Sequence, residues 1–148
     1  MIRGIELEDL PMVRIRAEGL AAGYYPELIP DVAAEHSLLR ELATNTQHYA
    51  RAIGKVGDPE AVLLARTGNN LWATHKHATV LLWYSRSPGA GAKLLRDFRD
   101  WVKVQKRMVL AGFTDDFGLD DRVVALLRRT GFIQRGGVHV YFPRGEKK

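Results

Sequence analysis

The chain has 148 residues, 46% apolar and 26% charged, a balance that reads as one globular domain over 1–148. It contains no cysteine, which excludes disulfides, thiolate metal sites and cysteine nucleophiles. Net charge is +5, with 7 Lys/Arg against 10 Asp/Glu over 1–74 and 15 against 7 over 75–148. The second half therefore suits a polyanion or a phosphorylated ligand.

No window approaches the ~18 apolar residues a membrane span needs. The N-terminal residues mix charge into their apolar pattern, unlike a signal peptide. The expectation is a cytoplasmic protein without membrane contact.

Residues 2–7 alternate apolar and polar side chains and predict a first strand. Glu8, Asp9 and Pro11 mark a helix start, and the pattern runs to Gly23. A loop holding Tyr24, Tyr25 and Pro26 precedes a second helix predicted over 31–53, with Leu38, Leu39, Leu42, Tyr49 and Ile53 as its buried stripe. Gly54 and Gly57 end it. The period then changes: 61–66 reads as a strand, 67–70 as a hairpin turn, 71–75 and 77–85 as two more strands. A helix over 91–105 carries Leu94, Leu95, Phe98 and Trp101 on one face and charges on the other. A strand at 107–113, a helix over 119–130 ended by Gly131, and a hairpin over 132–142 complete the chain. The order is β-α-α-β-β-β-α-β-α-β-β, a mixed α/β sheet with helices on both faces.

The stretch from Leu81 to Leu95 organises this pattern. An apolar strand ends in a turn with Gly89 and Gly91 and feeds a helix N-terminus. Such a terminus offers unpaired backbone N–H groups and a favourable dipole to an anion. The absent side chains at Gly89 and Gly91 leave a diphosphate room to approach.

Arg86-Ser87-Pro88-Gly89-Ala90-Gly91 resembles the phosphate loop of the GNAT superfamily of acyl-CoA-dependent N-acetyltransferases. It lies between the expected fourth strand and third helix. Arg129-Thr130-Gly131-Phe132 is similar to the Gly-Phe pair that ends the superfamily's fourth helix. The resemblance implies a GNAT-like, mostly antiparallel sheet and acetyl-CoA as acyl donor, with no metal. It places the coenzyme diphosphate on Arg86, Ser87, Pro88, Gly89, Ala90, Gly91 and Ala92. The pantetheine arm falls on the strand edge at Thr79, Val80 and Leu81.

His75 and His77 stand at i, i+2, so a continuous strand would point both to one face. A neutral imidazole accepts a proton near pH 7. The arylalkylamine N-acetyltransferases have a His-x-His at this distance from their phosphate loop. That resemblance implies that His75 and His77 form the general-base pair. A third metal ligand is not visible nearby. The superfamily's usual acid, a tyrosine, falls on Leu127, which has no proton to donate; Tyr84 and Tyr141 are the available phenols. Tyr24 and Tyr25 are candidates for holding the acceptor.

Two functions follow. One is acetyl transfer to a small-molecule or protein amine, with the terminal strands open to homodimer formation. The other is a catalytically degenerate GNAT-fold binding or assembly protein, of a kind that includes phage-encoded chains, supported by Leu127. Nucleic-acid binding by the basic helix is disfavoured, because Phe98 and Trp101 lie on its apolar face and acids alternate with its bases.

Overall fold

The structure, a computed structural model, describes residues 1–24, 29–69, 75–113, 121–135, 141 and 143–144, with only the backbone of 22–24. Strand β1 (Ile2–Gly4) and a 3-10 turn at Leu7–Asp9 lead into helix α1 (Leu10–Tyr24). Then follow α2 (Val32–Thr44), β2 (Tyr49–Lys55), β3 (Asp58–Asn69) and β4 (Lys76–Ser85). Helix α3 (Pro88–Val104), strand β5 (Met108–Phe113) and helix α4 (Asp121–Thr130) complete the described elements. The strands form one sheet in the order β1-β2-β3-β4-β5, antiparallel except for the parallel β4–β5 pair. Among the described residues, no helix is long and apolar enough to cross a membrane.

Strand β3 lies mid-sheet, and its alternation divides the core in two. Ala61, Leu63 and Ala65 pack with Tyr49, Leu94 and Phe98 on the α3 face. Val62 and Leu64 pack with Val13, Leu39 and Leu42 on the face of α1 and α2. Helices cover both faces, as the sequence predicts. Tyr49 meets Phe98 edge-on at 5.1 Å and Trp101 at 5.6 Å, and each buried aromatic contributes on the order of 2 kcal/mol.

The start of α1 is tied to the sheet by a buried carboxylate. Asp9 accepts from Arg3 at 2.7 Å, from the Glu6 N–H at 2.8 Å and from the Gly57 N–H at 2.8 Å. Burial alone would raise the Asp9 carboxyl, but these donors win and hold it below the usual range.

Two predicted elements are corrected. The second helix ends at Thr44, not Ile53: the Asn45 N–H bonds Glu41, and the Asn45 side chain accepts from the Gln47 N–H at 3.0 Å, turning the chain. Residues 49–55 then form β2. Tyr49 and Ile53 are four apart, a spacing that shares a face in both a helix and a strand, which is why the stripe misled. The hairpin turn also moves. Thr67, Gly68 and Asn69 belong to β3 and pair with Ala78, His77 and Lys76. The chain reverses between Asn69 and Lys76, and a further reversal, between β2 and β3, is made at Gly57, whose φ of +89° suits glycine. Asn70 and the predicted strand at 71–74 lie outside the described residues.

Helix α4 ends as predicted. Gly131 has φ +103°, the Phe132 N–H reaches the Leu127 carbonyl at 2.9 Å, and the Gly131 N–H reaches Arg128 at 3.0 Å. Residues 132–135 are not in a strand, and 136–140 and 142, the rest of the predicted last hairpin, lie outside the described residues.

Candidate functional site

Strand β4 changes character along its length. Ala65 pairs with Val80 but Leu64 pairs with Leu82, so Leu81 is an extra residue without a partner on β3. This bulge flips the alternation. Ala78 and Val80 join the α3 core, whereas Leu82 and Tyr84 join the core under α1 and α2. On the other side of β4, the last pair with β5 among the described residues is Val80 with Phe113. Leu81 is 43% exposed. Of the predicted strand-edge residues, Thr79 pairs with Arg66 and Gly112, Val80 with Ala65 and Phe113, and Leu81 is the bulge residue on the β3 side.

The glycine turn follows directly. Ser87 is the N-cap of α3 and Pro88 occupies its first turn, where a missing N–H is harmless. No acidic residue lies in that first turn, so nothing there competes with an incoming anion. The two glycines have different reasons. A Cβ on Gly89 would meet nothing within 4 Å, so its bareness faces open space. A Cβ on Gly91 would lie 3.0 Å from the Ser85 Cβ, so Gly91 lets α3 press onto β4. Ala90 and Gly91 are buried, Ala92 is half-buried, and Ser85 Oγ donates to the Ser87 carbonyl. The Arg86 N–H is held by Glu60 at 2.8 Å, and its exposed guanidinium is 3.3 Å from Asp58.

His77 is half-buried in β4, opposite Gly68 and Leu110. Its ring lies over Gly68, where an added Cβ would sit 3.5 Å from Nε2. By alternation with Ala78 and Val80 its side chain is on the α1–α2 face, about 13 Å along the strand from Leu81. His75 is exposed and precedes β4, so strand geometry does not impose a shared direction on the pair. Tyr24 is the last residue of α1 and its side chain, like all of Tyr25, lies outside the described residues.

A cavity of about 350 Å³ opens between α1, α2 and the bulge. Ala17, Leu38, Leu42, Leu64, Leu81 and Leu82 give it apolar walls, and Arg14, Glu18, Asp31 and Glu35 supply charge. Arg14 pairs with Glu18 at 2.9 Å. Glu35 Oε2 is buried without a hydrogen-bond partner among the described residues. Burial, then a hydrogen bond and the charge of Glu18, hold the Glu35 carboxyl above the usual range, with Arg14 opposing. The sequence reading passed over these acids. Their signal was present: Glu35 sits three and four residues before Leu38 and Leu39, on the buried stripe of α2.

The proton donor is thin. Leu127 is in α4, and its carbonyl accepts from the Phe132 N–H. Tyr141 is 85% exposed. The Tyr84 hydroxyl is buried without a partner among the described residues, beside Arg16, whose guanidinium is 5.9 Å from the ring centre, and burial pushes the phenol up. Among the described residues, no group of three His, Cys, Asp or Glu could hold a metal ion.

No protein-family profile matches the chain, and no curated protein matches it. Solved structures do. An aminoglycoside acetyltransferase from an uncultured soil metagenomic sample, in complex with sisomicin, aligns with a TM-score of 0.66 at 18% identity over 96% of this chain and 94% of that one. A predicted acetyltransferase from Clostridium acetobutylicum, solved with acetyl-CoA, gives 0.68 at 8% identity over 96% and 95%. A transcriptional regulator from Bacillus halodurans gives 0.68 at 15% identity over 96% and 99%. These likenesses cover nearly the whole length of both partners, and the chain has the fold of the GNAT acetyltransferases.

Proposed function

We propose that this chain transfers an acetyl group from acetyl-CoA to a primary amine. The observation that carries the reading is the β4 bulge at Leu81, followed directly by an acid-free α3 N-terminus. A pantetheine arm would run along β4 at Thr79, Val80 and Leu81. The open space at Gly89 and the first N–H groups of α3 suit a diphosphate, with Arg86 beside them. The residues present thus fit coenzyme A, which when bound supplies an acyl group activated as a thioester.

Transfer forms an N–C bond and breaks a C–S bond, so the amine sheds a proton and the thiolate gains one. His77 takes the amine proton from the α1–α2 face, through intervening water, and His75 passes it to solvent. Tyr84 is the donor to the thiolate, since its hydroxyl has no other partner among the described residues. Tyr24 and Tyr25 are the candidates for holding the acceptor.

The test is isothermal titration with acetyl-CoA followed by thiol release across a panel of amines. Saturable binding with thiol release is expected. No binding at millimolar acetyl-CoA would overturn the reading. Leu127 favours a second one, a GNAT-fold binding protein without turnover, which binding without thiol release would support.

A further inference from the structure

We propose that the cavity under the β4 bulge takes a small monoamine with an apolar body, its ammonium held between Glu35 and Glu18. This rests on the transferase reading for the placement of the acceptor. Three features of the cavity carry it.

The first is an acceptor without a donor. Glu35 Oε2 is buried and has no hydrogen-bond partner among the described residues, and the charges acting on it are Glu18, Arg14 and Asp31. A primary ammonium brings three N–H donors, enough for Glu35 and Glu18 together. The second is the balance of charge. Among the described lining residues, Glu18, Asp31 and Glu35 stand against one cation, Arg14, which is already paired with Glu18 at 2.9 Å.

The third is what surrounds the acids. The other described lining residues are apolar, Leu38, Leu42, Leu64, Leu81 and Leu82 among them, and they bury hydrocarbon favourably and offer a second cation nothing. At about 350 Å³ the cavity is at the small end of ligand sites, which run from roughly 300 to 1,000 Å³. A polyamine or an aminoglycoside would place further ammonium groups against leucine. Leu81 belongs both to this wall and to the β4 segment proposed for the pantetheine arm, so an amine seated here lies beside the proposed thioester.

Binding also has a proton signature. With Glu18, Asp31 and Arg14 as its charged neighbours, Glu35 is held above the usual carboxyl range, and an arriving ammonium favours its ionised form. Amine binding should therefore release protons.

The experiment titrates 2-phenylethylamine, and separately spermidine, into the full chain saturated with coenzyme A, in two buffers of different ionisation enthalpy. The same amines are then offered with acetyl-CoA while thiol release is followed. The aromatic monoamine should bind with proton release and spermidine at least tenfold more weakly. Glu35→Gln, which keeps the side-chain volume, should weaken the monoamine tenfold to a hundredfold and abolish proton release, with acetyl-CoA affinity unchanged. Glu18→Gln should weaken it in the same direction. Preference for spermidine, or monoamine affinity in Glu35→Gln within twofold of wild type, would overturn the proposal. Monoamine binding with no thiol release from any amine would overturn the transferase reading and leave the site standing. Thiol release with other amines but no monoamine binding would do the reverse.

Discussion

The Trp83 indole Nε1 donates to the Gly91 carbonyl at 3.1 Å, fastening the end of β4 to the first turn of α3. Gly91 is fixed from two sides, by this bond and by the Ser85 Cβ. Gly91→Ala should therefore destabilise by about 1 kcal/mol, the overpacking of a rigid contact exceeding the helix-propensity gain of alanine. Gly89→Ala meets only open space and should leave the melting temperature within a degree or two, or raise it. Its effect should fall on acetyl-CoA, with affinity reduced at least tenfold by titration. If Gly89→Ala binds acetyl-CoA as wild type does, the diphosphate does not lie on this turn.

This contrast marks how far the sequence could be read. The strand–glycine–helix unit was legible because its signals are local: a β-branched run, two glycines and a proline at a helix start. Gly131 was legible for the same reason. Strand β2 was hidden because Tyr49 and Ile53 fit either period, and the turn at Asn45 is made by its side chain rather than by glycine or proline. The β4 bulge left no local mark, since Leu81 becomes an extra residue only through its register against Leu64 and Ala65. Glu18 and Glu35 come from different helices, and only packing shows that they meet.

His77→Ala should lower kcat by about a hundredfold or more while acetyl-CoA titration is unchanged, as for loss of a general base. The ring is half-buried over Gly68, outside the two core clusters, so the melting temperature should move little. His75→Ala, at an exposed position, should have a smaller effect. Equal activity of His77→Ala and wild type at all pH values would remove the histidine from the reaction.

Two carboxyls make opposite contributions to stability against pH: Asp9, which is buried, and Glu35, which is half-buried. Asp9 has a folded-state value below its ordinary 3.8, so its contribution is complete above 3.8 and is lost as pH falls through the lower folded value. Glu35 has a folded-state value above its ordinary 4.5, so its contribution is complete below 4.5 and is lost as pH rises through the higher folded value. Urea melts across pH 2 to 8 should show both limbs. Glu35→Gln should remove the second limb alone. Asp9→Ala should destabilise at neutral pH by roughly 3 kcal/mol, because it leaves the Arg3 guanidinium and two N–H groups without their acceptor. A loss under 1 kcal/mol would mean that solvent replaces the carboxylate at no cost.

Tyr84→Phe separates structure from chemistry at the proton donor. The hydroxyl is buried and makes no bond among the described residues, so phenylalanine keeps the packing and relieves an unpaired polar atom. Stability should hold or rise by up to about 1 kcal/mol in thermal melts. Burial favours the neutral phenol, which is the form able to give a proton to a thiolate. The variant should therefore bind acetyl-CoA normally and lose at least tenfold in kcat, with the loss shrinking for thioesters whose thiol is a better leaving group. A wild-type kcat in Tyr84→Phe would assign thiolate protonation to water, and with Leu127 at the customary tyrosine position no phenol would then be required.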